Sequence, residues 1–261
     1  MAQFGPHRWS AGEYTSEHTD EFRGADFTVR DLTGARFVDC DLTGVKIVDA
    51  TLVDVDISGW VQRLVVNGVD VSEFVEAELD RRHPERVQLR EVRGADDFRA
   101  LWATLTALWE ALTARATALG EQACQQRVDG EWSYAETLRH LVFITDSWAG
   151  RTVRDEELPY HRLGLPQTAY PRADAAALGI DVDATPSFGE VLEARTERQA
   201  QIQLLLDTLA DADLGRPCLR TPAPGYPEEE RPVWACLAVV MEEECEHYRF
   251  ARRDIETLER G

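Results

Sequence analysis

From Phe22 onward a large apolar side chain returns at every fifth position: Phe22, Phe27, Leu32, Phe37, Leu42, Ile47, Leu52 and Ile57. A period of five fits neither the 3.6 of a helix nor the 2.0 of a strand, so neither an amphipathic helix nor a simple sheet explains it. It suits a chain that turns a corner in every repeat and stacks its large residues along the middle of a solenoid. Two residues before the later members the side chain is small or moderate (Ala25, Ala35, Cys40, Val45, Ala50, Val55), with Arg30 the exception, and Asp26, Asp31, Arg36, Asp41, Thr51 and Asp56 fill polar positions.

Beyond the repeat the period changes. Trp60, Leu64, Val65, Val66, Val69 and Val71 continue the apolar character around an Asn67-Gly68 turn signal. Residues 71–86 then predict a short helix, capped by Ser72 and closed by Pro84. Four longer helical patterns follow. The first runs from Asp97 to about Gly120 on Phe98, Leu101, Trp102, Leu105, Leu108, Trp109 and Leu112. The second starts at the capping box Ser133-x-x-Glu136 and continues through Trp148 toward Arg154. The third starts at Ser187-x-x-Glu190 and reaches Leu209, and the fourth runs from Val233 to about Leu258 behind Pro232. Two long connections, about 155–186 and 211–231, separate them, and the whole predicts a helical bundle. The expected division is a solenoid over 1–70, a helical connector over 71–92 and a bundle over 93–261.

Charge narrows the functional classes. With 48 Asp+Glu against 28 Lys+Arg, the formal net charge is −20, which disfavours phosphate backbones and anionic lipid surfaces. The expectation is no nucleic acid and no membrane. An acidic DNA mimic is the exception to weigh: residues 20–60 hold nine acidic and four basic side chains, a net of −5, over a length too short to imitate much duplex. Five cysteines without a CxxC pair point to a reducing compartment. No signal-like segment and no apolar run of about 18 residues is present, so a cytoplasmic protein, monomer or homodimer, is expected.

Chemistry centres on two helices. Of six histidines (His7, His18, His83, His140, His161, His247), His140 lies within the second long helix and His247 within the fourth. Glu243 precedes His247 by four residues, which puts both on one helical face. Two imidazoles and a carboxylate would suit a catalytic divalent ion, because three protein ligands leave a position open. Glu244, three residues from His247, is the competing carboxylate. A di-iron site would need two Glu-x-x-His motifs and two further carboxylates, and one motif is present. Cys245 falls on a different face from His247; Cys236, Trp132, Trp148 and Trp234 read as core.

The segments GEWSYAETLRHLVFITDSWAGR (130–151), YHRLGLP (160–166) and EEECEHYRFARRD (242–254) resemble the DinB superfamily, and the repeat resembles the pentapeptide-repeat family. The second resemblance implies a right-handed quadrilateral β-helix with four repeats per coil, so about two coils here. The first implies a four-helix bundle holding a divalent metal through one residue of its second helix and two of its fourth. Glu243 replaces the usual histidine, as in the mycothiol-dependent maleylpyruvate isomerase and S-transferase branch. Carried over, the metal ligands are His140, Glu243 and His247. The implied metal is zinc, with nickel, manganese or iron as alternatives. The implied co-substrate is a low-molecular-weight thiol of the mycothiol kind that attacks a small electrophile; Arg151, eleven residues after His140 and so near the same helical face, would contact it, with Tyr160 and His161 of the long connection as further candidates. The alternative is a metal-binding or protein-interaction module without catalysis. Twenty-seven Arg against the single Lys46 fits a GC-rich host that would supply such a thiol.

Overall fold

The structure is a computed structural model that describes residues 22–37, 40–59, 61–168 and 170–260. His7, His18 and Trp60, named above, lie outside the described residues. The chain divides into two compact units, one ending at Gln62 and the other beginning at Arg63.

In the first unit the five-residue period is written in the backbone. Left-handed φ values recur at Gly24, Val29, Gly34, Gly44, Asp49, Asp54 and Gly59, each two residues after a large apolar one. At three of these corners the turn closes with a hydrogen bond, Ala25 N to Phe22 O, Ala35 N to Leu32 O and Val45 N to Leu42 O, at 2.9–3.1 Å. A positive φ at the third residue of such a turn favours glycine, which Gly24, Gly34 and Gly44 supply. No strand is formed among the described residues of this unit. The expectation of a buried apolar column is not met either, since the eight large side chains are 49–66% exposed.

The second unit is mainly helical. It opens with a hairpin, β1 (Val65–Val66) against β2 (Val69–Asp70), whose Asn67 and Gly68 both take positive φ as a tight two-residue hairpin turn requires. Helix α1 (Ser72–Arg82) follows, but Ser72 does not cap it. Its hydroxyl accepts from Leu64 N (2.9 Å), while Asp70 accepts from Ser72 N (3.0 Å). Pro84 does more than end that helix: lacking an N–H, it suits the unbonded first turn of a second helix, α2 (Pro84–Glu91).

The four long patterns appear as α3 (Ala95–Leu119), α5 (Tyr134–Ile144), α7 (Phe188–Thr208) and α8 (Val233–Leu258). Short helices α4 (Glu121–Gln125) and α6 (Arg172–Ala177), which the periodicity does not mark, lie in the connections. Both capping boxes form, with Ser133 and Ser187 accepting from the N–H groups of Glu136 and Glu190; a cap of this kind contributes about 1 kcal/mol. α5 packs on α7 and α8, and α3 packs on both as well. Trp109, Leu112, Leu138, Leu141, Val191, Tyr248 and Ile255 form one shared core.

One departure matters for the site. The predicted second helix does not continue to Arg154 as an α-helix; after Ile144 it becomes a π-helix over Thr145–Val153. Its wider turn is marked by bonds such as Arg154 N to Ala149 O (3.0 Å). The second long connection is pinned at its ends, where β3 (Pro217–Cys218) pairs antiparallel with β4 (Arg231–Pro232).

Candidate metal centre

His140 sits in a continuously buried stretch of α5 and is buried itself. Its Nδ1 lies 2.9 Å from the Leu165 carbonyl. A carbonyl only accepts, so Nδ1 carries the proton and Nε2 keeps its lone pair. The clamp is two-sided, because Leu165 N donates to the Arg139 carbonyl (3.1 Å). The buried Arg139 guanidinium adds bonds to the carbonyls of Leu163, Ala184 and Asp181 at 2.9–3.2 Å. The first long connection is thereby fastened onto α5 at the position of His140.

Across from it, α8 presents Glu243 and His247 one turn apart. Glu243 Oε2 is 3.1 Å from His247 Nε2 and 3.5 Å from His140 Nε2. One ligand atom from each of the three residues lies within 4.8 Å of the others. His140 is almost closed off, at 6% side-chain exposure, while Glu243 (17%) and His247 (20%) leave one side of the cluster accessible. Burial lowers the His140 pKa, offset in part by Glu243, and favours the neutral ring. For Glu243 burial alone would push the carboxyl up, yet the His140 and His247 imidazoles beside it overrule that and hold it far below the usual carboxylate range.

The electrostatics fit a cation. With Nδ1 protonated, a neutral His140 aims a lone pair at an ionised carboxylate 3.5 Å away, two acceptors facing each other. Metal–ligand bonds of about 2.0–2.2 Å to imidazole and carboxylate in a tetrahedral arrangement require ligand atoms about 3.3 Å apart. The two Glu243 separations, 3.1 and 3.5 Å, match that need, and all three ligand atoms lie within 4.8 Å of one another.

The competing carboxylate is engaged elsewhere. Glu244 is buried, with Oε1 and Oε2 at 2.6 and 2.5 Å from Arg195 Nη2, so its oxygens serve α7. Cys245 is buried outside the trio.

A family model of the DinB superfamily matches residues 104–251, more than half of the chain and all three residues of the cluster. The chain belongs to the DinB superfamily. Eight copies of the pentapeptide repeat match residues 21–59. None of the curated proteins matches the chain. Among solved structures, a protein from Streptococcus pneumoniae is 16% identical with a TM-score of 0.44, covering 67% of this chain and 97% of that one.

In this DinB-superfamily bundle His161 is not one of the three clustered residues, and Arg151 and Tyr160 bond to loop carbonyls. Arg151 donates to the carbonyls of Thr221 (Nε, 3.0 Å) and Glu157. The eleven-residue spacing that would return it to the face of His140 assumes α-helical turns, and the π-helix breaks that arithmetic. Tyr160 gives its hydroxyl proton to the Pro222 carbonyl and stacks on Phe143 at 6.0 Å, itself 6.4 Å from His140. His161 is held through its backbone N by Asp146 (2.8 Å), and its Nδ1 accepts from Leu163 N (3.1 Å).

Two aromatic residues stand beside the trio. Trp132 is only part-buried and lies 4.8 Å from the His140 ring and 6.1 Å from His247, nearly parallel to the latter. Phe250 meets His247 edge-on at 6.5 Å. Phe250 was legible, since it follows His247 by three residues on one helix face. Trp132 precedes the helix cap, where helical spacing says nothing. Trp148 is core, against Tyr226.

Proposed function

We propose that the protein is a metal-dependent thiol S-transferase in which His140, Glu243 and His247 hold a divalent ion. The observation that carries this reading is the convergence of two imidazoles and Glu243 within 4.8 Å, with one side accessible. A divalent ion bound there lowers the pKa of a thiol and supplies thiolate at neutral pH. Zinc is the first choice, with nickel, manganese or iron as alternatives, because two imidazoles and a carboxylate suit a borderline cation. Leu165 fixes the His140 tautomer through its carbonyl. Trp132 and Phe250 set aromatic rings beside His247, apolar surface suited to a small electrophile. The thiol is a mycothiol-like low-molecular-weight one, and the setting is the cytoplasm.

A second reading is a non-catalytic metal-binding and interaction module. The exposed Phe22, Phe27, Phe37 and Ile47 of the repeat favour it. In either reading the repeat is proposed as a short right-handed quadrilateral β-helix, which left-handed corners at five-residue intervals support. Domains over 1–70, 71–92 and 93–261 follow from it.

The deciding experiment is metal analysis of the purified chain with a conjugation assay of low-molecular-weight thiols against a generic electrophile. The transferase reading expects bound metal and conjugation that falls in H247A. Bound metal with no conjugation for any thiol favours the second reading; no metal retained under any loading condition sinks both.

A further inference from the structure

The two imidazoles of the trio are steadied by different neighbours. His140, almost closed off, is oriented by the bond between its Nδ1 and the Leu165 carbonyl (2.9 Å). His247 is the more exposed of the two, and its ring meets aromatic surface: Trp132 at 6.1 Å and within 19° of parallel, and Phe250 edge-on at 6.5 Å. A histidine ligand turns about its own side-chain bonds, so a ring that is to hold a metal needs a neighbour that fixes it. Phe250 rides on the same helix as His247. Trp132 comes from outside both ligand helices and reaches both imidazoles, lying 4.8 Å from His140 as well.

The chain holds the indole from both sides. Before it, residues 128–131 form a tight turn in which Asp129 and Gly130 both take positive φ and Glu131 N donates to the Val128 carbonyl (2.9 Å). Aspartate and glycine are the residues that tolerate that conformation. The Glu131 carboxylate then reaches α8 and accepts from Arg253 Nη2 (2.5 Å), six residues beyond His247. After it, Ser133 caps α5 in a box closed by Glu136, whose carboxylate is itself taken up by Arg127. Trp132 is thus tied at one end to the helix of His247 and at the other to the helix of His140.

We propose that Trp132 is a positioning residue of the metal centre, whose indole holds the His247 ring in place beside His140. The proposal rests on the reading of the trio as a metal site and not on the transferase reading. The indole acts in two ways. Its flat face restricts rotation of the more exposed imidazole, so less conformational freedom is lost when an ion binds. Its apolar surface also displaces water from the neighbourhood of the ligands, which strengthens the attraction between a cation and the Glu243 carboxylate. Trp132 offers no ligand atom of its own and acts on the ion through His247. An aromatic ring is needed for the first effect, whereas any large apolar side chain serves the second.

The test compares the full chain with W132A, W132L and W132F. It reads zinc affinity by chelator competition and the visible absorption of the cobalt(II)-loaded protein, whose bands follow ligand geometry. W132A and W132L are expected to bind zinc about 10-fold more weakly, the low end of the loss typical of an outer-shell partner, with weakened and shifted cobalt bands. W132F is expected to recover most of both, because it returns a ring to the same place. W132L and W132F carry the comparison if W132A folds poorly. Parent-like zinc affinity and cobalt bands in W132L overturn the proposal, as does a W132F no better than W132L. A lower melting temperature of the metal-free variants with parent-like cobalt bands makes Trp132 a packing residue only, and overturns it too. A parent chain that binds neither ion overturns the metal reading and this proposal with it, whereas a parent that binds while every variant matches it overturns this proposal alone.

Discussion

Arg195 on α7 and Glu244 on α8 form a buried ion pair, with Nη2 at 2.6 and 2.5 Å from the two carboxylate oxygens. The pair turns Glu244 away from its neighbour Glu243, so two adjacent carboxylates serve different helices. Removing one partner strands the other charge in the core, which costs about 3–5 kcal/mol. Arg195→Met is expected to lower stability by that amount in urea unfolding, and Arg195→Met with Glu244→Met to recover a large part of it. A single variant as stable as the parent would show that the pair does not matter to the fold.

The metal trio should separate cleanly from its surroundings in binding measurements. Glu243→Gln and His247→Ala are expected to weaken zinc affinity by more than the roughly 10–100-fold typical of an outer-shell partner. His161→Ala and Tyr160→Phe, which lie outside the cluster, should leave it within a few-fold. Competition titration against a chromogenic chelator reads both. Chelation of bound zinc is expected to lower the melting temperature, because a ligand that binds only the folded state stabilises it.

Burial pushes the Asp146 carboxyl up to about 6, against Arg198 (2.8 Å) and the His161 N–H, which both favour its charge. In the unfolded chain its pKa is about 3.9. The folded state therefore binds this proton more tightly. Its contribution is fully present below about pH 4 and is lost as pH rises through about 6, on the order of 3 kcal/mol in all. The measurement is ΔG of unfolding from pH 4 to 7 for the parent and Asp146→Asn. The variant should lack this downward slope, and parallel curves would refute the assignment.

Gly150 lies on the π-helix against Pro159, and a Cβ there would stand 2.9 Å from the proline Cβ. The proline ring is stiff and cannot swing aside. Gly150→Ala is expected to cost about 1–3 kcal/mol, the usual range for overpacking. Thermal unfolding checks it; a neutral effect would mean that the 159–165 segment shifts freely.

What the sequence determined by itself was whatever short-range periodicity encodes. The five-residue period, the long helices, both capping boxes and the Asn67-Gly68 turn depend on neighbours a few residues apart, and each appears in the backbone. Glu243 and His247 belong to this class, because four residues of helix suffice to align them. The resemblance supplied His140 as their partner across the bundle; spacing alone does not join two helices. Tertiary structure decided the rest. Glu243 rather than Glu244 faces His140 because Arg195, about fifty residues earlier, engages Glu244. Arg151 bonds to the Thr221 carbonyl from a helix that widens into π-turns after Ile144, which no apolar period announces. Trp132 reaches both imidazoles from outside any helix. These contacts join residues distant in the chain, and their energies depend on burial and charge that exist only once the helices have packed.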